Sequence, residues 1–161
     1  MDIKELLQKG KRQIKSKQYN HALKNFSSIL EQDSDNLDAL IFRSGCYMKL
    51  KQYEQSIADL DNAIALAPNN PKLYYNRGSA RVNLKDYQKA IGDFTMAIKL
   101  DPNYEKAYYN RGSVYLNLDK HEKAVMDFLQ AAKLGNKHAQ VLVRHFEKRG
   151  REIRDRDKDN S

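Results

Sequence analysis

The chain has 161 residues, 40% hydrophobic and 31% charged, and its 29 Lys and Arg against 21 Asp and Glu give a formal net charge of +8. That length fits one ordinary domain, and seven Gly and three Pro leave little room for linker. A single cysteine, Cys46, excludes an internal disulfide and suits a reducing compartment.

From the N-terminus, MDIKELLQKGKRQIK holds no apolar run of signal-peptide length, and no later stretch is long enough to span a bilayer. A cytoplasmic location is therefore expected. The chain then repeats itself at an interval of 34 residues. Tyr19, Tyr53 and Tyr87 share one slot with His121; Ala22, Ser56, Ala90 and Ala124 share another; Phe26, Leu60, Phe94 and Phe128 share a third. Such a period means one supersecondary unit copied and stacked. The units are Ile3–Asn36, Leu37–Asn70, Pro71–Tyr104 and Glu105–His138.

Within each unit two apolar stripes at helical spacing flank a short polar turn, such as Leu84-Lys85-Asp86-Tyr87 in the third, which predicts a pair of antiparallel helices. Gly10, Ser44, Gly78 and Gly112 fall in the first helix of each pair, opposite Ala22, Ser56, Ala90 and Ala124 in the second. Small residues at these places let two backbones approach, and larger ones would overpack the contact. Arg43, Arg77 and Arg111 recur in register with Asp59, Asp93 and Asp127, which predicts an Arg–Asp pair inside each of repeats two to four. In repeat one both positions change together, to Lys9 and Asn25.

After His138 the apolar pattern restarts at Ala139, Leu142, Val143 and Phe146, predicting a capping helix over about 139–149. The array then covers 3–147. Residues 150–161 form a mixed-sign charged tail, expected to be disordered beyond a break at Gly150.

These residues resemble the tetratricopeptide repeat family, from Ile3 to His138, and repeats three and four (LYYNRGSARVNLKDYQKAIGDFTMAIKLDPN and AYYNRGSVYLNLDKHEKAVMDFLQAAKLGN) match its pattern best. The resemblance implies an all-α solenoid of four helix-turn-helix units plus a C-terminal capping helix. It also implies a concave groove lined by the first helix of each pair. Transferred position by position, the groove takes Lys11, Ile14 and Lys15 from repeat one, Asp38, Ile41, Phe42, Gly45 and Lys49 from repeat two, Lys72, Tyr75, Asn76, Ser79 and Asn83 from repeat three, and Lys106, Tyr109, Asn110, Ser113 and Asn117 from repeat four. Phe42, Lys49, Lys72, Tyr75, Asn76, Ser79, Lys106, Tyr109, Asn110 and Ser113 are the candidate binding residues. Lysines there would attract a carboxylate, amides can donate to and accept from a peptide backbone, and tyrosines offer apolar area with little rotamer entropy to lose.

The five-residue carboxylate clamp that some members use for chaperone C-termini is not reproduced. Over repeats two to four its places hold Ile41, Gly45, Asn76, Lys106 and Asn110, of which only Asn76 and Lys106 match. Chaperone docking would therefore need a non-standard clamp.

No HExxH, paired CxxC, glycine-rich phosphate loop or serine elbow occurs, and His21, His121, His138 and His145 lack metal-ligand spacing. The expectation is a non-enzyme without metal or cofactor: an adaptor or scaffold that binds an acidic peptide or partner protein in the groove. The positive net charge favours such a ligand by long-range attraction. The alternative is nucleic-acid association through the tail and the lysine-rich first repeat (Lys4, Lys9, Lys11, Arg12, Lys15, Lys17), which would be steeply salt-dependent. Self-association is a third expectation, through Ile3, Leu6 and Leu7 on a first repeat that no helix precedes.

Overall fold

A computed structural model describes residues 2–159, with side chains to residue 148. Nine α-helices make up these residues: α1 (Ile3–Lys15), α2 (Tyr19–Gln32), α3 (Leu37–Lys49), α4 (Tyr53–Leu66), α5 (Pro71–Asn83), α6 (Tyr87–Leu100), α7 (Glu105–Asn117), α8 (His121–Lys133) and α9 (Lys137–Asp159). They divide into two compact units, the first ending at Leu100 with α1–α6, the second starting at Asp101 with α7–α9.

Each helical pair is made by the same local chemistry. The first helix ends in a residue with left-handed backbone, namely Lys17, Lys51, Lys85 and Asp119 at φ values of 58°, 60°, 59° and 54°. Around it two backbone hydrogen bonds close the helix, as in Lys85 N–H to Val82 O and Asp86 N–H to Arg81 O. This 5→2, 6→1 pattern is the Schellman motif, which absorbs otherwise orphaned carbonyls and reverses the chain within three residues. Between pairs of the first unit, Asn36 and Asn70 cap α3 and α5, their side chains accepting from the Ala39 and Lys72 N–H groups. Pro71 opens α5 at a position where a missing N–H is harmless.

The helices of a pair meet at the small residues. A Cβ added at Gly10 would lie 2.6 Å from the Phe26 ring, and one at Gly78 2.9 Å from the Phe94 ring. Where repeat two carries Ser44 instead of glycine, the opposing residue is Leu60 instead of phenylalanine, so the pair trades volume within the same space. Phe26, Leu60 and Phe94 are all fully buried. In the second unit, Gly112 and the buried Phe128 repeat the arrangement, with 3.1 Å between an added Cβ and the ring.

The Arg–Asp pairs stand where the periodicity puts them. Arg43 holds Asp59 through Nε (2.8 Å) and Nη2 (2.7 Å), and Arg111 holds Asp127 through the same two atoms, each at 2.8 Å. Arg77 holds Asp93 at 2.7 Å and also reaches back to Asp61 of the preceding repeat at 2.6 Å. Arg43 makes the equivalent backward contact to Ser27. In repeat one, Asn25 donates instead to Gln13.

Two expectations change in the second unit. The chain leaves α8 through another Schellman turn, with Gly135 at φ 94° and Asn136 N–H bonded to Ala131 O. That turn is shorter than the linkers between earlier repeats, so α9 starts at Lys137 and not near residue 139. Asn136 accepts from Ala139 N–H as Asn36 does from Ala39 N–H, which shifts α9 two residues ahead of the 34-residue period. Counted from its cap, α9 places Ala139 with Ala39, Leu73 and Ala107, all four buried, and Arg144 with Gly10, Ser44, Gly78 and Gly112. The fourth repeat therefore closes at Asn136, not His138.

The helix also runs through Gly150 to Asp159. One interior glycine costs a helix only about 1 kcal/mol, and the Arg, Lys and Glu around it are good helix formers, so the break expected there does not occur.

Repeat one differs too. Leu6 is buried at 7% exposure, and Ile3 and Leu7 are half-buried against the cluster around Phe26. The residues expected to offer an uncovered apolar face are thus largely spent on their own repeat's core.

Candidate functional site

The first helix of each pair turns one face to its partner helix and leaves Lys and Asn positions outside. In the first unit, α1 and α3 share a surface: Lys11 Nζ sits 4.6 Å above the Phe42 ring and 3.5 Å from Asp38. Phe42 itself stacks on Phe26, with centroids 5.7 Å apart. Lys49 is exposed at the end of α3. On α5, Lys72 is exposed, Tyr75 and Asn76 are half-buried, and the Tyr75 ring rests on Phe94 at 5.8 Å. Ser79 Oγ donates to the Tyr75 carbonyl at 2.9 Å, so its proton is already used inside the helix.

The second unit repeats this set on α7. Lys106 is exposed and Asn110 half-buried; the Tyr109 ring rests on Phe128 at 5.6 Å and near His138 of α9 at 6.0 Å. Ser113 Oγ donates to the Tyr109 carbonyl at 3.0 Å. Each unit thus brings together an exposed lysine, a tyrosine braced by a buried phenylalanine, and an amide one residue further on. The serines act as backbone braces rather than outward donors.

The arginines are structural by their contacts. Hydrogen bonds donated to Asp59 and Asp127 raise the pKa of Arg43 and Arg111 above the ordinary guanidinium value against the opposing effect of burial. At Arg77 burial pulls downward, and the bonds to Asp93 and Asp61 outweigh it. Sequence spacing missed one member of this network. Arg81 also binds Asp93, at 2.8 Å. It lies one helical turn after Arg77, and that i, i+4 step was the available signal.

Among the described residues no nucleophile is hydrogen-bonded to a histidine, the usual general base. Cys46 is buried at 1% exposure, and burial pushes its thiol up to about 11; thiolate, the reactive form, is then scarce at neutral pH. Among the described residues no group of three metal-binding side chains occurs, and no helix is long and apolar enough to cross a membrane. A cavity of about 440 Å³ lies beside Ser27, Glu31, Arg43 and Asn62, but its arginine is already held by Asp59.

Three profiles described as tetratricopeptide repeat match the sequence, over residues 7–71, 44–109 and 94–126. No curated protein matches it. Among solved structures, one described as the crystal structure of MamA is 25% identical, with a TM-score of 0.81, covering 96% of this chain and 88% of its own. MamA 41-end from Desulfovibrio magneticus RS-1 is 26% identical, with a TM-score of 0.80, covering 83% of this chain and 75% of its own. A further MamA crystal structure, at 22% identity and a TM-score of 0.80, shares the fold. The repeat period, the glycine–phenylalanine contacts and these matches agree: the chain belongs to the tetratricopeptide repeat family.

Proposed function

We propose that this protein is a protein-interaction scaffold whose first helices bind an acidic peptide segment. The observation that carries the reading is the twice-repeated constellation of Lys72, Tyr75 and Asn76 on α5 and Lys106, Tyr109 and Asn110 on α7. A lysine with an exposed head attracts a carboxylate. A tyrosine pinned on a buried phenylalanine presents its remaining surface with little entropy left to lose. The side-chain amides suit a peptide backbone, which needs both donors and acceptors. Phe42 and Lys49 extend the same chemistry to repeat two.

The test is a fluorescence-anisotropy titration with labelled acidic peptides and neutral controls of equal length. Replacing Lys72 and Lys106 together by alanine should weaken the acidic peptide about tenfold, since an exposed ion pair contributes up to about 1 kcal/mol each. Asn76→Ala should weaken acidic and neutral peptides alike. Equal affinity of the wild type for both peptides, with an unchanged melt in every variant, would remove the acidic-ligand reading.

A further inference from the structure

Large exposed apolar side chains concentrate on α8, where Val125, Met126 and Leu129 are 40%, 70% and 49% exposed. In earlier repeats the places of Met126 and Leu129 hold Lys24 and Ser27, Ala58 and Asp61, and Gly92 and Thr95. Two of these have a known task, because Ser27 and Asp61 accept from the arginine of the next repeat. Counted from its cap, α9 carries Val143 at that arginine's place, so an acceptor at 129 has nothing to serve. That accounts for the loss of a polar residue. It does not account for leucine and methionine in water.

The charges around them supply the rest. Glu122, Met126, Leu129 and Lys133 follow one another at steps of four, three and four residues, which places them along one stripe of α8. Glu122 and Lys133 are both exposed. The stripe therefore reads acid, apolar, apolar, base, and it is its own complement when reversed. If a second α8 lies antiparallel across it, Glu122 meets Lys133, Met126 meets Leu129, and both pairings occur twice. This self-complementarity is what a two-fold interface requires.

We infer that the α8 stripe is the contact through which two copies of this chain associate, antiparallel and about a two-fold axis. The occupant is a second copy because the charge order fits an identical stripe running the other way. One helix face is small beside the roughly 800 Å² per partner of a stable complex, so the dimer is weak, with a dissociation constant on the order of 10–100 µM. The inference is independent of the peptide reading, which uses the first helices only.

Sedimentation velocity over about 5–500 µM, bracketing that range, tests it. The wild type should move from monomer toward dimer as concentration rises. Met126→Lys should keep the chain monomeric throughout. Glu122→Lys sets lysine against Lys133 twice and should raise the dissociation constant about tenfold; Glu122→Lys with Lys133→Glu should restore it to within about threefold. Leu66→Lys, at an exposed leucine of α4 in the first unit, should change nothing. All the positions are exposed, so each variant should keep the wild-type circular dichroism spectrum, which checks folding. A wild type that stays monomeric, a double swap that fails to rescue, or a Leu66 variant as disruptive as the Met126 variant overturns the inference.

Discussion

At Ser56 a hydroxyl sits where the other repeats have alanine. It is fully buried, and Ser56 Oγ has no hydrogen-bond partner among the described residues. A buried unsatisfied polar group costs about 1–3 kcal/mol, and Ala22, Ala90 and Ala124 show that a methyl fits the same contact. Ser56→Ala should therefore stabilise the fold by about 1 kcal/mol, read from urea midpoints at unchanged slope. Cys46 gives a prediction with a sign in pH. Burial favours the neutral thiol, lifting its pKa from an ordinary 9.0 to about 11. The stability this contributes is complete below pH 9 and is lost as the pH climbs through 11. Cys46→Ala should flatten the fall in stability across that window. In the wild type, iodoacetamide at pH 8 should label Cys46 only once denaturant opens the fold.

At the scale of the helix, two glycines on corresponding elements answer to opposite rules. An alanine methyl at Gly10 would meet the buried Phe26 ring at 2.6 Å, whereas one at Gly45 would meet nothing within 4 Å. Alanine is the better helix former by about 1 kcal/mol, so Gly45→Ala should stabilise by roughly 0.5–1 kcal/mol. At Gly10 the same gain is outweighed by overpacking of about 1–3 kcal/mol, and Gly10→Ala should destabilise. Thermal melts of the two variants side by side check both signs. That position 10 must stay small was legible in the sequence, because the 34-residue period keeps it glycine or serine; that it meets the Phe26 ring, and not Ala22 as the spacing suggested, was not. Nor was the start of α9. The period assigns 137 and 138 to repeat four, and only the backbone at Gly135 reveals that the turn is of the shorter kind used inside repeats. The extent of α9 was not legible from spacing either, since its charged end carries no apolar period.

For the whole molecule, the family pattern and the matched profiles establish a repeat scaffold, and the charge of +8 biases what it meets in solution. The Arg–Asp pairs were readable because both partners recur at one interval, and each half-buried guanidinium closes on its carboxylate. The candidate binding residues were readable only as positions; that the Ser79 and Ser113 hydroxyls donate to backbone carbonyls depends on side-chain rotamers that no spacing encodes. The association surface on α8 was missed because it breaks the repeat: its informative residues are those that differ from their counterparts. Pairing through α8 would give each particle two copies of every first-helix face, and a partner offering two acidic segments would gain by effective concentration over one offering a single segment.

Arg144 at the end of the array bears on how such a gene can grow. Every earlier repeat keeps glycine or serine at that count from the cap, because the phenylalanine or leucine of the second helix needs the space. With arginine there, a second helix appended behind α9 could not seat itself as its predecessors do. Inside the array every pair keeps its small residue against a phenylalanine or leucine, so a unit inserted there in a step of 34 residues would find the same seat.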